Sequence, residues 1–283
     1  MTLRDALVTA TARLRDVPAL RDEAAEDSTL LLLHILGISR AALLTGYDRT
    51  LTPGEQTAYL AAITRRLTHE PVQYITGERE FYGLPFAVTP AVLIPRNLTE
   101  HLVDAVLAEL TPYHHPWRIA DVGAGSGAIA IALASHLPHA IIAALDNSPT
   151  ALSLVAENAI RNNVAARVRC IESNLLESLA GEPPLDAIVS NPPYIPQSDL
   201  GSLAPQVRDF EPHTALFAGP DGLEIYRRLI PQAHAALKPN GLLALEIGPG
   251  QREAIATLLT GWNNLRFILD FDQTPRIALA RKP

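Results

Sequence analysis

The stretch Ser190-Asn191-Pro192-Pro193-Tyr194 is the part of this sequence most suited to chemistry. Two prolines fix φ twice and remove two amide hydrogens, which pins the loop and can aim the Asn191 amide and the Pro192 carbonyl at one point. Pro193 completes the turn and Tyr194 adds an aromatic wall. Two acceptors beside a ring suit a planar NH2 group. A second stretch, Asp121-Val122-Gly123-Ala124-Gly125-Ser126-Gly127, has glycines that let backbone approach a ligand closely. Gly123, Gly125 and Ala128 also satisfy the dinucleotide fingerprint, so the loop by itself leaves a nicotinamide enzyme open, as well as a plain strand-to-helix turn.

Nineteen residues beyond Gly127, Asp146 ends the apolar run from Ala140 to Leu145. A carboxylate there can accept hydrogen bonds from both hydroxyls of a ribose. Ser148 followed by Pro149 already supplies the cap of the next helix, which frees Asp146 for a ligand. Asn174 could meet the exocyclic amine of an adenine with Leu175 packed on the ring, and it could equally serve as a turn residue. Cys170 reads as a small core residue. A dehydrogenase has no use for Asn-Pro-Pro-Tyr, whereas methyl transfer to an amide or exocyclic amine does, because acceptors on the NH2 orient it and raise electron density on nitrogen. Arg96 and Glu100 could pair across a helix start or face the ligand. Arg208, Asp209 and Glu211 form a charged loop, either a solvated face or a lid.

The elements that must position these residues follow from periodicity. Residues 1–70 read as a helical bundle: Leu3, Leu7, Ala10 and Leu14 share one helical face, further helices run from about Asp22 to Gly37 and from Ser39 to Leu44, and Thr52-Pro53-Gly54-Glu55 predicts a capping box. Residues 71–95 alternate aromatic and β-branched residues between glycines, which predicts a β-hairpin linker that includes Val72–Gly77. A helix from about Leu98 to Leu110 is closed by Pro112 and Pro116. Residues 96–283 then alternate strand and helix, with strands at about 118–122, 140–145, 167–171, 185–190 and 241–247 and helices near 127–135, 149–162, 222–237 and 250–260. The final runs, 265–271 and 275–281, are joined too briefly for a parallel crossover, so the last strand must be antiparallel. The fold class is α/β: a mostly parallel Rossmann-like sheet behind an N-terminal helical bundle.

Composition narrows the function classes. The 283 residues carry a formal charge of −7, which disfavours bulk nucleic-acid binding, and no apolar run approaches the roughly 18 residues of a membrane span. One cysteine excludes an internal disulfide, and no signal peptide is legible, so a cytoplasmic protein is expected. The nine histidines show no metal spacing, and no metal is expected.

Taken in order, the glycine loop, the ribose acid and Asn-Pro-Pro-Tyr resemble class I S-adenosylmethionine-dependent amino-methyltransferases. The blocks Pro71–Glu78, Leu93-Ile94-Pro95-Arg96, Val207–Pro212, Gly219-Pro220-Asp221-Gly222 and Leu245-Glu246-Ile247-Gly248 are similar to those of the bacterial peptide chain release factor N5-glutamine methyltransferases, and the resemblance covers nearly the whole chain. It implies S-adenosyl-L-methionine as cofactor, S-adenosyl-L-homocysteine as product, and the glutamine of the release factors' Gly-Gly-Gln motif as substrate. It implies cofactor binding by Gly123, Ala124, Gly125, Ser126, Gly127, Asp146, Asn174, Leu175 and Asn191. Substrate binding would fall to Asn191, Pro192, Pro193 and Tyr194, with Asn191, Pro192 and Tyr194 catalytic. It also implies that the helical domain grips the release factor; a monomer is expected. Asn97, Asn147, Asn174 and Leu175 depart from the family's usual proline, apolar residue, acid and aromatic. A ribosomal-protein glutamine methyltransferase, a nucleic-acid adenine methyltransferase and a non-catalytic adaptor are the alternatives.

Overall fold

The structure is a computed structural model that describes residues 1–111 and 115–283. It divides into two compact units, residues 1–78 with 202–210, and residues 79–201 with 211–283.

The first unit is built on α1 (Leu3–Arg15), α2 (Ala24–Leu36), α3 (Arg40–Thr45), α4 (Pro53–Leu67) and α5 (Val72–Thr76). The predicted capping box forms: Glu55 N donates to Thr52 Oγ1 (3.3 Å) and Thr52 N to Glu55 Oε2 (2.8 Å), which satisfies amides the helix leaves orphaned. Leu3, Leu14, Leu20, Leu31, Leu32 and Ile63 meet in its core, each contributing about 1.5–3 kcal/mol by leaving water. Within that core lies Arg66, 1% exposed, which donates to Asp27 Oδ2 (2.6 Å), Glu23 Oε2 (2.9 Å) and Gln206 Oε1 (2.9 Å). Gln206 belongs to the short helix Pro205–Phe210, which the linear sequence separates from this unit by more than a hundred residues.

The β-hairpin expected from residue 71 onward is shorter than predicted. Val72–Thr76 is a helical turn, with Tyr74 N and Ile75 N both bonded to the Pro71 carbonyl (3.0 and 3.1 Å) and a left-handed Gly77 ending it. Burial of Val72 and Tyr74 overrides the β-propensity of the segment. The hairpin proper is β1 (Glu78–Phe81) and β2 (Leu84–Ala87), turned by Tyr82 and Gly83, both at positive φ (56° and 71°), the two-residue geometry that matches strand twist.

The second unit continues with α6 (Asn97–Leu110), β3 (Arg118–Val122), α7 (Ala128–His136), β4 (Ile141–Asp146), α8 (Pro149–Arg161), β5 (Val168–Glu172) and β6 (Leu185–Ser190). After the inserted segment come α10 (Glu224–Ala236), β7 (Leu237–Glu246), α11 (Arg252–Leu258), β8 (Asn263–Leu269) and β9 (Pro275–Arg281), α9 being the Pro205–Phe210 helix. The sheet order is β5-β4-β3-β6-β7-β9-β8; β9 alone runs against the rest, pairing antiparallel with β7 and β8. Alternation along the strands separates two apolar layers. Ile119, Ile142, Val189 and Ala244 face α6, α7 and α8, and Val122, Leu145, Ile188 and Leu245 face α10 and α11. β7 starts earlier than the predicted 241, because Leu237 already pairs with Leu185 before a bulge restores register at Ala187–Leu242. Of the prolines expected to close α6, Pro112 lies outside the described residues; the helix ends at Leu110.

Cys170, read as core, is exposed. β5 is the edge strand, and its middle residues Arg169 and Cys170 are exposed.

Candidate active site

Sheet order reverses between β3 and β6: β4 and β5 extend one way from that seam and β7 the other. Loops leaving the carboxyl ends of two such strands diverge and leave a crevice. The two motifs singled out for chemistry leave β3 and β6. Ser190 Oγ, fully buried, donates to the Val122 carbonyl (2.6 Å) and clamps the two strand ends together beneath the crevice. The cleft above it encloses about 1250 Å³ with its open mouth and is contained in the second unit.

One wall is the glycine loop. Gly123 N and Ala124 N both donate to the Leu145 carbonyl (2.8 and 2.9 Å), and Gly125 N donates to Asp146 Oδ2 (2.8 Å). Gly123, Ala124, Gly125 and Ser126 line the cleft. Gly127 does not. It caps α7 at φ 83°, where an added Cβ would stand 3.0 Å from both Ile131 Cδ1 and Val155 Cγ1, so its glycine is set by helix packing. Asn158, fully buried on α8, holds this wall from behind: its Nδ2 donates to the Ser126 carbonyl (2.9 Å) and the Ala87 carbonyl (3.0 Å), and its Oδ1 accepts from Ala87 N (2.7 Å). Nothing in the sequence marks Asn158, since its partners are 32 and 71 residues away.

Asp146 projects from the end of β4 into the cleft. One oxygen takes Gly125 N and the other takes Ser148 N (3.0 Å), which leaves each oxygen a lone pair for one of two adjacent hydroxyls. Ser148 caps α8 through Ala151 N (3.2 Å), as its type and place before Pro149 predict. Asn174 and Leu175, after β5, line the far end. Asn174 is held at both ends of its amide: Nδ2 donates to Glu177 Oε1 (2.7 Å), and Oδ1 accepts from Arg228 Nη2 (2.7 Å), so the cation of α10 joins this rim. Asn97 occupies the first turn of α6 and accepts from Arg79.

Asn191, Pro192 and Pro193 line the opposite wall. Asn191 Nδ2 donates to Thr99 Oγ1 (3.0 Å), and Thr99 Oγ1 donates to Glu246 Oε2 (2.7 Å). Tyr194 does not line the cleft. Its ring packs with the α10 and α11 layer, its hydroxyl stands 3.5 Å from Glu246 Oε1 and from Arg276 Nη2, and burial pushes its pKa up. The Tyr194 carbonyl is held by Gln251 Nε2 (3.0 Å).

Arg96 does not pair with Glu100. Glu100 accepts Tyr82 N (2.9 Å) and steadies the hairpin, while Arg96 forms a two-pronged pair with Glu211 (2.7 and 2.6 Å), 115 residues away. Glu211 is 4% exposed, so this member of the expected charged loop is no solvated residue; burial raises its pKa and the Arg96 charge pulls it back. Arg208 is half-buried and Asp209 exposed, and the two pair with each other. Beneath the glycine loop, Asp121 is fully buried, with Oδ2 accepting Ala130 N (2.9 Å) and Oδ1 without a partner among the described residues. Burial pushes its pKa up to about 7, against the Ala130 bond and with the nearby Asp146 charge. Among the described residues no group of three His, Cys, Asp or Glu is placed to hold a metal ion, and no helix is long and apolar enough to cross a membrane.

Residues 5–77 match the family model described as the PrmC N-terminal domain, and residues 100–204 match the methyltransferase small domain. A release factor glutamine methyltransferase of Koribacter versatilis is 43% identical over 285 residues, spanning 100% of this chain and 99% of that protein. One from Moorella thermoacetica is 44% identical over 99% of this chain and 98% of its own. Among solved structures, the hMettl16 catalytic domain in complex with MAT2A 3'UTR hairpin 6 gives a TM-score of 0.57 at 18% identity over 82% of each chain, a likeness of fold alone.

Proposed function

Because this chain belongs to the release factor glutamine methyltransferase family, we propose that it moves a methyl group from S-adenosyl-L-methionine to the side-chain amide nitrogen of the glutamine in the Gly-Gly-Gln motif of peptide chain release factors. The observation that carries this reading is the seam between β3 and β6, where an acceptor pair for an NH2 group and a free-handed carboxylate for a ribose line one cleft.

The donor set suits that cofactor. Asp146 keeps one lone pair on each oxygen, which matches the paired hydroxyls of a ribose, and the backbone of Gly123–Ser126 offers close approach without side chains in the way. Leu175 supplies apolar surface for a purine, and the second lone pair of Asn174 Oδ1 remains as an acceptor beside Arg228. When bound, S-adenosyl-L-methionine supplies an electrophilic methyl on a sulfonium.

The chain's own residues have to make a poor nucleophile competent. An amide nitrogen shares its lone pair with the carbonyl, so it attacks only weakly. Asn191 Oδ1 and the Pro192 carbonyl each accept one N–H of the substrate amide, which holds the nitrogen in line and concentrates density on it. Preorganisation comes from the two prolines, which cannot relax their φ angles, and from Ser190 beneath them. The proton released from nitrogen passes to water. Tyr194 then acts from behind the turn as support, with Pro193 bounding the substrate side.

We assign residues 1–70 to gripping the protein substrate, 71–95 to linkage and 96–283 to catalysis, in a cytoplasmic monomer whose single cysteine fits a reducing compartment. The test is mass spectrometry of an intact release factor after incubation with the purified chain and isotopically labelled cofactor, with a ribosomal protein offered in parallel. A methyl gained on the Gly-Gly-Gln glutamine is expected. An unmodified release factor, or a mark on the ribosomal protein instead, overturns the reading.

A further inference from the structure

Asn191 can serve as an acceptor only if its amide is turned the right way. A carboxamide presents oxygen on one side and NH2 on the other, with nearly the same shape, and an NH2 turned toward the cleft would oppose the substrate's own NH2. The proline turn restrains the backbone but not this rotation. Something else in the chain must choose between the two orientations.

The choice is made by a buried relay. Glu246 ends β7, is 1% exposed, and accepts the hydroxyl hydrogen of Thr99 at 2.7 Å. A carboxylate has no hydrogen to give, so Thr99 must be the donor there. Thr99, 4% exposed in the first turn of α6, has spent its one hydrogen and can only accept from its other neighbour. That neighbour is Asn191, 3.0 Å away, which must therefore present Nδ2 to Thr99 and leave Oδ1 for the cleft. If Glu246 carried a proton, the relay could run the other way, with Thr99 donating to Asn191 Oδ1 and the NH2 turned to the substrate.

The Glu246 pKa is raised, with burial the largest cause, and charged and polar neighbours act against that rise. Arg276 on β9 and Arg96 before α6 act on it as positive charges; Tyr194 sits by the other carboxylate oxygen at 3.5 Å, and Tyr226 on α10 bonds the Glu246 main-chain carbonyl at 2.7 Å. Burial pushes the Glu246 pKa upward, while the Thr99 bond, Arg276, Tyr194 and Arg96 pull it back. Glu246 has two uses for its oxygens and both lead to the catalytic turn, one through Thr99 to Asn191 and one to Tyr194.

The geometry points to Thr99 and Glu246 as positioning residues that set the polarity of the Asn191 amide, so that its oxygen and not its nitrogen meets the substrate NH2. This rests on the proposed role of Asn191 in holding a glutamine amide. Thr99 lines the cleft beside Asn191 and Glu246 lies behind it, and their proposed effect passes through Asn191.

The experiment compares kcat, KM for the release factor and cofactor affinity in the full-length protein and three Thr99 variants. Thr99→Val removes the hydroxyl at constant shape and should lower kcat by about 10- to 100-fold while cofactor affinity stays within about threefold. Thr99→Ser keeps the relay and should stay within about threefold of the starting kcat. Thr99→Ala removes the hydroxyl without placing a methyl against Glu246, and replaces the valine variant if that one loses cofactor binding. In an Asn191→Ala background, loss of the Thr99 hydroxyl should have no further effect, because the relay then has nothing to orient. Equal kcat in the starting, valine and alanine proteins overturns the inference, as does an additive loss in the double variant or a serine variant as slow as valine. If the unaltered protein leaves the glutamine unmethylated, the functional reading itself fails, which the first measurement of the series distinguishes.

Discussion

Replacing Gly222 with alanine should cripple catalysis more than it harms folding, although Gly222 lies outside every motif read as catalytic. Its φ is 73°, a left-handed conformation that costs an alanine about 1–2 kcal/mol. An added Cβ would stand 2.2 Å from the Tyr194 carbonyl oxygen and 2.9 Å from Gln251 Nε2, so one backbone or the other must yield by roughly 1 Å. Gln251 Nε2 currently bridges the Tyr194 carbonyl (3.0 Å) and the Gly222 carbonyl (3.2 Å), so the strain enters at the last residue of Asn-Pro-Pro-Tyr. The two prolines transmit it, because their φ angles cannot absorb the shift. Displacement and conformational cost together should destabilise the chain by about 2–4 kcal/mol, or about 5–10 °C in Tm. A misplacement of that size at the acceptor pair should lower kcat by about 100-fold. The assay is release-factor methylation under saturating cofactor, paired with thermal unfolding and a cofactor titration. Gly181→Ala is the control: its φ is also positive, at 86°, yet a Cβ there meets nothing within 4 Å, so only the conformational cost should appear. Activity within about threefold of the starting protein in Gly222→Ala, with Tm unmoved, would refute the argument that this contact fixes the turn.

Two further outcomes test the interior. Asp121 is fully buried and its pKa is pushed up to about 7 from an ordinary 3.8, so the folded protein binds more protons than the unfolded chain between those values, and stability falls as pH rises through that window. Urea unfolding of the ligand-free protein should therefore show Asp121→Asn gaining about 2–3 kcal/mol on the starting protein between about pH 5 and 8, and a constant difference would count against a buried, proton-binding Asp121. In the helical unit, Arg66→Met leaves Asp27 buried, 7% exposed, without its cation, and should cost about 3–5 kcal/mol in the same measurement; a change below about 1 kcal/mol would mean that Asp27 is relieved by water.

The sequence alone determined the alternation of strand and helix, the reversal of the last strand, the helix caps at Thr52 and Ser148, and the identity of both cleft walls. These are local matters: apolar runs, cap residues and turn prolines act on neighbours a few positions away, and their periods survive in the linear chain. Where a local signal competed with burial it misled. Val72–Thr76 has strand-forming residues and is helical, because the pocket for Val72 and Tyr74 outweighs their propensity. Cys170 looked like core and is exposed, because nothing local says that β5 lies at the sheet edge. Tyr194 directly follows Asn191-Pro192-Pro193, which line the cleft, yet its ring packs behind them with the layer of α10 and α11.

The tertiary structure decided what lies around the walls. Glu211 reaches Arg96 across 115 residues, Glu246 reaches Thr99 across 147, and Asn158 reaches Ala87 across 71. Each is a polar group taken out of water, and such a group must find a partner wherever the fold supplies one, at a separation no sequence period encodes. The type of residue at position 191 says that an amide is available; only the buried hydroxyl and carboxylate stacked behind it say which way that amide faces.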